Sequence, residues 1–120
     1  MSPEEYVKAA VKTESPINDN IFEKVKDPQK LRMLHAAMGM ATESSEFLDI
    51  LKKHFFYGKP LDMTHAKKEV GDILWYMAVF CDATGTDFEE LMQMNIDKLR
   101  ARYEGNFSQD KAINRKSSDI

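Results

Sequence analysis

Apolar residues recur along the chain at intervals of three and four positions, which is the spacing of one face of an α-helix. No segment shows the alternation of apolar and polar residues that is typical of a half-buried β-strand. The pattern predicts about four main helices, over residues 2–12, 28–56, 62–84 and 86–102. We expect an all-α helical bundle in which the short connection between the two long helices makes them antiparallel neighbours.

Residues that favour helix starts precede each predicted helix: they are Ser2 with Pro3, Asp27 with Pro28, Asp62, and Thr86 with Glu89. Gly58 and Gly85 stand just past the two long helices, where glycine commonly ends a helix. Residues 13–26 are polar and contain a proline, so we expect a loop there. After Ser108 the pattern predicts one short helical turn.

The segment ILWYMAVFC, residues 73–81, is apolar on nearly every face of its helix. It is too short to span a bilayer, so we expect no membrane insertion. Such a helix lies at the centre of a bundle or against another subunit. At ~25 cal/mol per Å² of apolar surface, leaving a few hundred Å² in water forfeits several kcal/mol of folding free energy. The segment therefore predicts at least a homodimer, with residues of the third or fourth helix at the interface.

Composition narrows the class of protein further. A chain of 120 residues fits one domain, residues 1–120. The net charge is −3 and no long basic run is present, so we expect no nucleic-acid partner. The single cysteine, Cys81, excludes an intramolecular disulfide. The first residues, MSPEEYV, carry acids where a signal peptide carries positive charge, so we expect a cytoplasmic location.

Two pairs of acids stand on the two long helices: Glu43 with Glu46, and Glu69 with Asp72. Residues three apart share a helix face, and the antiparallel arrangement places both pairs at a similar depth. Each close pair of carboxylates costs about 4 kcal/mol at ~4 Å and an effective dielectric constant near 20. A divalent cation such as Mg²⁺, which prefers oxygen ligands, removes this cost. Spacing alone leaves two interpretations open, a metal site and solvated surface acids.

The motif ESSE at 43–46 is separated by twenty-two residues from EVGD at 69–72. Around them stand the segments LHAAMGMATESSEFLDILKK and KKEVGDILWYMAVFCDATGTDFEELMQMNIDKLRARY, followed by NFSQDKAINR. Together they resemble the MazG-like superfamily of all-α nucleoside triphosphate pyrophosphohydrolases, especially its short bacterial and phage members. The motif core of the resemblance is residues 31–103, and residues 104–120 form the tail.

The resemblance implies that Mg²⁺, with Mn²⁺ as a substitute, is held by Glu43, Glu46, Glu69 and Asp72. It also implies hydrolysis of a nucleoside or deoxynucleoside triphosphate to the monophosphate and pyrophosphate, by a dimer or a dimer of dimers. We expect a metal-activated water to be the nucleophile, with Glu46 as the candidate general base.

Five further residues are candidates for substrate binding. Asn95, Lys98 and Arg102 share a face of the fourth helix, and the resemblance favours contact with the nucleotide or its phosphates. A solvated helix face is the alternative for all three. Tyr76 follows Asp72 by one turn and suits either packing or a hydrogen bond to the nucleotide. His35 precedes Glu43 by two turns and is either a core histidine or a contact to the base.

Two other functions compete with a pyrophosphohydrolase. A di-iron carboxylate bundle needs Glu-x-x-His motifs, and no histidine follows a glutamate by three residues here. A non-catalytic helical interaction module on the same scaffold is compatible with the sequence.

Overall fold

The computed structural model describes residues 1–103 and 109–113. Within these residues every regular element is helical, as the periodicity predicts. The described residues form six helices, listed in chain order: α1 Pro3–Val11, α2 Asp19–Lys26, α3 Pro28–Tyr57, α4 Met63–Thr84, α5 Phe88–Tyr103 and α6 Gln109–Ile113. The short turn expected after Ser108 is α6. The rest of the tail, 104–108 and 114–120, lies outside the described residues.

Side-chain caps begin the helices largely where the sequence predicts them. The Ser2 hydroxyl accepts the Glu5 N–H at 3.1 Å at the start of α1. Both long helices end at glycines in the left-handed conformation, with φ of +70° at Gly58 and +65° at Gly85. At α5 the predicted capping box is displaced by one residue, because Asp87 accepts the Glu90 N–H at 2.8 Å.

The expectation of a loop over residues 13–26 is wrong for its second half, which forms α2. Asn18 caps this helix by accepting the Ile21 N–H at 3.2 Å. Its apolar residues, Ile21, Phe22 and Val25, share one face at helical spacing, and α2 packs against α3. A helix this short is only marginally stable by itself, and packing against α3 provides the missing stability.

Helices α3 and α4 pack together as an antiparallel hairpin. In the described residues, no other pair of long helices makes an extensive contact. Two polar contacts join the open end of the hairpin. The Arg32 guanidinium lies 2.6 Å from the Asp82 carboxylate, and the Gln29 side-chain amide donates to the Ala83 carbonyl at 3.0 Å. These contacts tie the start of α3 to the end of α4 and thereby set the register between the helices.

Gly39 of α3 faces the ring of Tyr76 across the hairpin. Gly39 is buried, and a Cβ atom at this position would overlap the Tyr76 ring. A glycine is therefore required here by space, since its helical backbone carries no positive φ. The ring in turn contacts His35 edge to face, with centroids 5.8 Å apart.

One chain does not complete a bundle. Among the described residues, the buried apolar positions are Ala36, Ala66 and Cys81, and neither α1 nor α5 packs extensively on the hairpin. The accessible surface is 9962 Å², whereas a folded monomer of this mass exposes about 6,600 Å². The radius of gyration is 20.0 Å, against about 14 Å for a compact chain of this length. A four-helix bundle within one chain is therefore not what the structure shows.

Replacing Gly39 by alanine should destabilise the hairpin. Overpacking costs about 1–3 kcal/mol, which exceeds the ~0.5–1 kcal/mol that alanine gains over glycine in a helix. We expect a lower free energy of unfolding by urea titration monitored by circular dichroism. The control is the same substitution in a Tyr76→Ala background, where the ring is absent and the loss should be smaller. Equal losses in both backgrounds would contradict the assigned clash.

Candidate metal centre

Three carboxylates meet on one side of the hairpin. Glu69 and Asp72 lie one turn apart on α4, and Glu43 approaches them from α3. One ligand oxygen of each lies within 4.8 Å of the others. Sequence spacing predicts the pair on α4, and the register of the hairpin adds the third acid. Carboxylate oxygens at this separation fit a hard divalent cation.

Mutual repulsion shapes this cluster, which we call the acid trio. The pKa of Glu43 is raised above its ordinary value, first because it shares a hydrogen bond with Glu69. Partial burial and the charges of Asp72, Glu69 and Glu46 raise the pKa of Glu43 further. A raised pKa means that Glu43 binds a proton more readily, and a bound proton offsets negative charge as a bound cation would. The trio thus has the electrostatic character that a cation site requires.

Glu46, the fourth predicted ligand, is not part of the trio. Its side chain is exposed and borders a neighbouring cavity of about 330 Å³ near the hairpin loop. Basic groups share this cavity, and the Lys53 ammonium lies 2.7 Å from the Asp49 carboxylate. That contact lowers the pKa of Asp49 and raises the pKa of Lys53. Glu46 is still close enough for its charge to act on Glu43.

Tyr76 and His35 occupy different positions relative to the acids. Tyr76 borders a cavity of about 320 Å³ together with Glu43, Asp72 and Trp75. Tyr76 therefore lies next to the acids, and its predicted contact with the nucleotide stays a prediction. His35 is exposed and touches the Tyr76 ring, and it lines a separate cavity at the start of α3. Its surroundings do not match those of a core histidine.

The three candidates on α5 lie away from the acids of their own chain. Asn95 is exposed and Lys98 is half-buried, and the Arg102 guanidinium lies 5.8 Å from the centroid of the Tyr103 ring. Because α5 does not pack extensively on α3 or α4, the hairpin of one chain does not gather these residues around the trio. Their predicted contacts with substrate stay predictions.

His65 is a residue of this site that sequence reasoning missed. Its Nε2 atom lies 3.1 Å from a carboxylate oxygen of Glu69, one turn further along α4. The signal was available in the sequence, because residues four apart share a helix face. The His65 side chain is 54% exposed, so it lies at the outer edge of the site.

The comparison with protein families decides the class of this domain. The profile of the MazG nucleotide pyrophosphohydrolase domain matches residues 33–107, which is more than half of the chain. The chain belongs to the MazG family. No curated protein and no solved structure matches it.

Membership explains the acids in general terms. The MazG domain is a nucleotide pyrophosphohydrolase, a hydrolase that is generally dependent on a divalent metal, and its substrates are nucleotides. The predicted resemblance to this superfamily is therefore confirmed. Within the described part of the chain, every helix is too short or too polar to cross a membrane.

Replacing Glu43 by glutamine should stabilise the metal-free protein at neutral pH. Because the pKa of Glu43 is raised, its ionised form is disfavoured in the folded state, and this cost is present above that pKa. The cost disappears as the pH falls and Glu43 binds a proton. We expect a higher Tm than wild type in chelator at pH 7, a smaller difference near pH 4, and a weaker rise of Tm when Mg²⁺ is added.

Thermal denaturation by circular dichroism checks this expectation. The control is Glu14→Gln, since Glu14 is an exposed acid outside the hairpin. An unchanged or lower Tm of the Glu43 variant in chelator would show that the trio is not under electrostatic strain.

Proposed function

We propose that this MazG domain hydrolyses a nucleoside or deoxynucleoside triphosphate to the monophosphate and pyrophosphate, with Mg²⁺ as the cofactor. The observation that carries the proposal is the acid trio, whose oxygens converge from two helices at a distance that suits one cation. Family membership supports the reaction class, and the aromatic residues beside the trio supply room for a nucleotide.

The donor set fits Mg²⁺ or Mn²⁺ because all three groups offer carboxylate oxygens. Glu43, Glu69 and Asp72 would hold the ion, which supplies charge neutralisation for the phosphates and activation of a water. Glu46 is the remaining predicted ligand; it lies one turn along α3 from Glu43, and its charge acts on Glu43. We assign to Glu46 the acceptance of the proton that leaves the attacking water.

The nucleotide itself would lie beside Trp75 and Tyr76, which share a cavity with Glu43 and Asp72. The Trp75 side chain is exposed and its ring lies edge to face with Tyr76, so one indole face is accessible to a base. His35, in contact with Tyr76, would extend this aromatic wall toward the start of α3. In this proposal the phosphates lie near the acids and the base lies near the rings.

A homodimer, or a dimer of dimers, completes this arrangement. The helix segment 73–81 keeps apolar surface exposed in one chain, with Leu74 50% exposed. The accessible surface of 9962 Å² exceeds the ~6,600 Å² of a compact monomer of this mass, which leaves surface for an interface. Because α5 stands away from its own hairpin, we propose that it packs on a neighbouring chain. Asn95, Lys98 and Arg102 would then reach the phosphates of that chain's substrate.

Turnover of nucleoside triphosphates tests the proposed reaction. With Mg²⁺, we expect monophosphate and pyrophosphate by ion-exchange chromatography, and no turnover in chelator. Glu46→Ala and Asp72→Ala should each lower kcat by at least a factor of about 10² while leaving the helical circular dichroism unchanged.

The contrary results are specific. Diphosphate and orthophosphate as products would reject the reaction, and full turnover in chelator would reject the metal. If pure wild-type protein turns over none of the common nucleoside triphosphates, the domain is instead a non-catalytic helical interaction module. The control is Glu14→Gln, which should keep wild-type turnover.

Replacing Leu74 by aspartate should dissociate the assembly. Leu74 lines an apolar groove of about 380 Å³ with Phe47, Leu51 and Val70, and an unpaired charge buried there is strongly unfavourable. Light scattering should give at least twice the chain mass of 13.8 kDa for wild type and monomer mass for the variant. The control is Ser15→Asp, in the polar segment between α1 and α2. An active wild-type monomer at micromolar concentration would refute the interface.

A further inference from the structure

His65 holds a fixed position at the edge of the acid trio. It lies in the first turn of α4, where its backbone N–H donates to the Asp62 carboxylate at 3.0 Å. Its ring nitrogen Nε2 lies 3.1 Å from Oε1 of Glu69. In the tautomer with the proton on Nε2, the imidazole donates this bond and the carboxylate accepts it. The N-cap of α4 and the acid trio are thus connected through one histidine.

Glu69 has a polar neighbour outside the acid trio, the imidazole of His65, whose Nε2 atom lies 3.1 Å from a carboxylate oxygen of Glu69. A neutral imidazole carries an N–H group that can donate to a carboxylate. In the described residues, His65 is therefore the side-chain donor that can keep holding Glu69 while its carboxylate binds metal.

The same geometry argues against His65 as a metal ligand. The group of side chains that could share an ion comprises Glu43, Glu69 and Asp72, and His65 is not among them. Its Nε2 atom is directed at the Glu69 carboxylate. Mg²⁺ also prefers oxygen over nitrogen donors. Any effect of His65 on the ion would therefore pass through Glu69.

We propose that His65 is a positioning residue for the metal centre, which fixes the rotamer of Glu69 so that its carboxylate faces Glu43 and Asp72. The side chain of Glu69 is only 14% exposed, so little water can solvate its carboxylate. The hydrogen bond from His65 takes the place of such a water. Without the donor, three side-chain torsions of Glu69 must be ordered by the ion itself. The inference rests on the proposed metal site.

The experiment compares His65→Ala, His65→Gln and Thr64→Ala with wild type. Glutamine keeps a donor that reaches a carboxylate four residues further along a helix. Thr64 is the exposed neighbour of His65 in the same turn and serves as the matched control. Mn²⁺ affinity is measured directly, from the paramagnetic resonance signal of the free ion, and helicity is checked by circular dichroism.

We expect His65→Ala to weaken Mn²⁺ binding about tenfold, the scale found for hydrogen-bond partners of metal ligands. His65→Gln should bind close to wild type, and Thr64→Ala should be unchanged. In turnover assays His65→Ala should need about tenfold more Mn²⁺ for activation and reach the wild-type rate at saturation.

Two results would overturn the positioning role: wild-type Mn²⁺ affinity in His65→Ala, or equal losses in the alanine and glutamine variants, which would require the imidazole itself. A wild-type protein that binds no Mn²⁺ would instead overturn the metal site, and with it this role of His65.

Discussion

Repulsion between carboxylates is the constraint around which this domain is arranged. Glu43, Glu69 and Asp72 are held within 4.8 Å of one another by two helices that also have to pack together. Each acid alone would be an ordinary surface residue. Brought together they raise the pKa of Glu43 and demand a compensating positive charge. The scaffold must therefore hold the helices in register against a force that favours their separation.

Contacts that do not involve the acids themselves hold the two helices in register. Arg32 pairs with Asp82 at the open end of the hairpin, and Gly39 admits the Tyr76 ring near its middle. An exposed ion pair contributes little to stability, typically 0–1 kcal/mol. Close packing at Gly39 is thus the stronger constraint, and it also sets the position of Tyr76 beside the acids. The same contact that fixes the helix register therefore shapes one wall of the candidate nucleotide site.

The isolated chain also leaves apolar surface exposed to water, which is energetically unfavourable. The segment 73–81 presents large side chains to water, and α5 does not pack extensively against the hairpin of its own chain. The proposed second copy would cover the apolar segment and would pack against α5. In that proposal α5 would also bring basic and amide side chains to the acid trio of the neighbouring chain.

The sequence by itself determined the features that depend on local spacing. Helix period, the caps at Ser2 and Asp62, and the convergence of Glu69 with Asp72 follow from residues within one or two turns. The contact of His65 with Glu69 belongs to the same class, because its four-residue spacing is visible without a structure.

Only the tertiary structure decided which acids meet across the hairpin. Glu43 and Glu46 lie three residues apart on α3, as Glu69 and Asp72 do on α4. Glu43 joins the trio, whereas Glu46 borders the adjoining cavity. The difference depends on the rotation and register of one helix against the other. Side-chain volumes at positions such as Gly39 determine both. Helix α2 formed for a similar reason, since packing on α3 stabilised a segment too short to be helical alone. Local sequence places a side chain on a helix face, whereas non-local packing determines what that face meets.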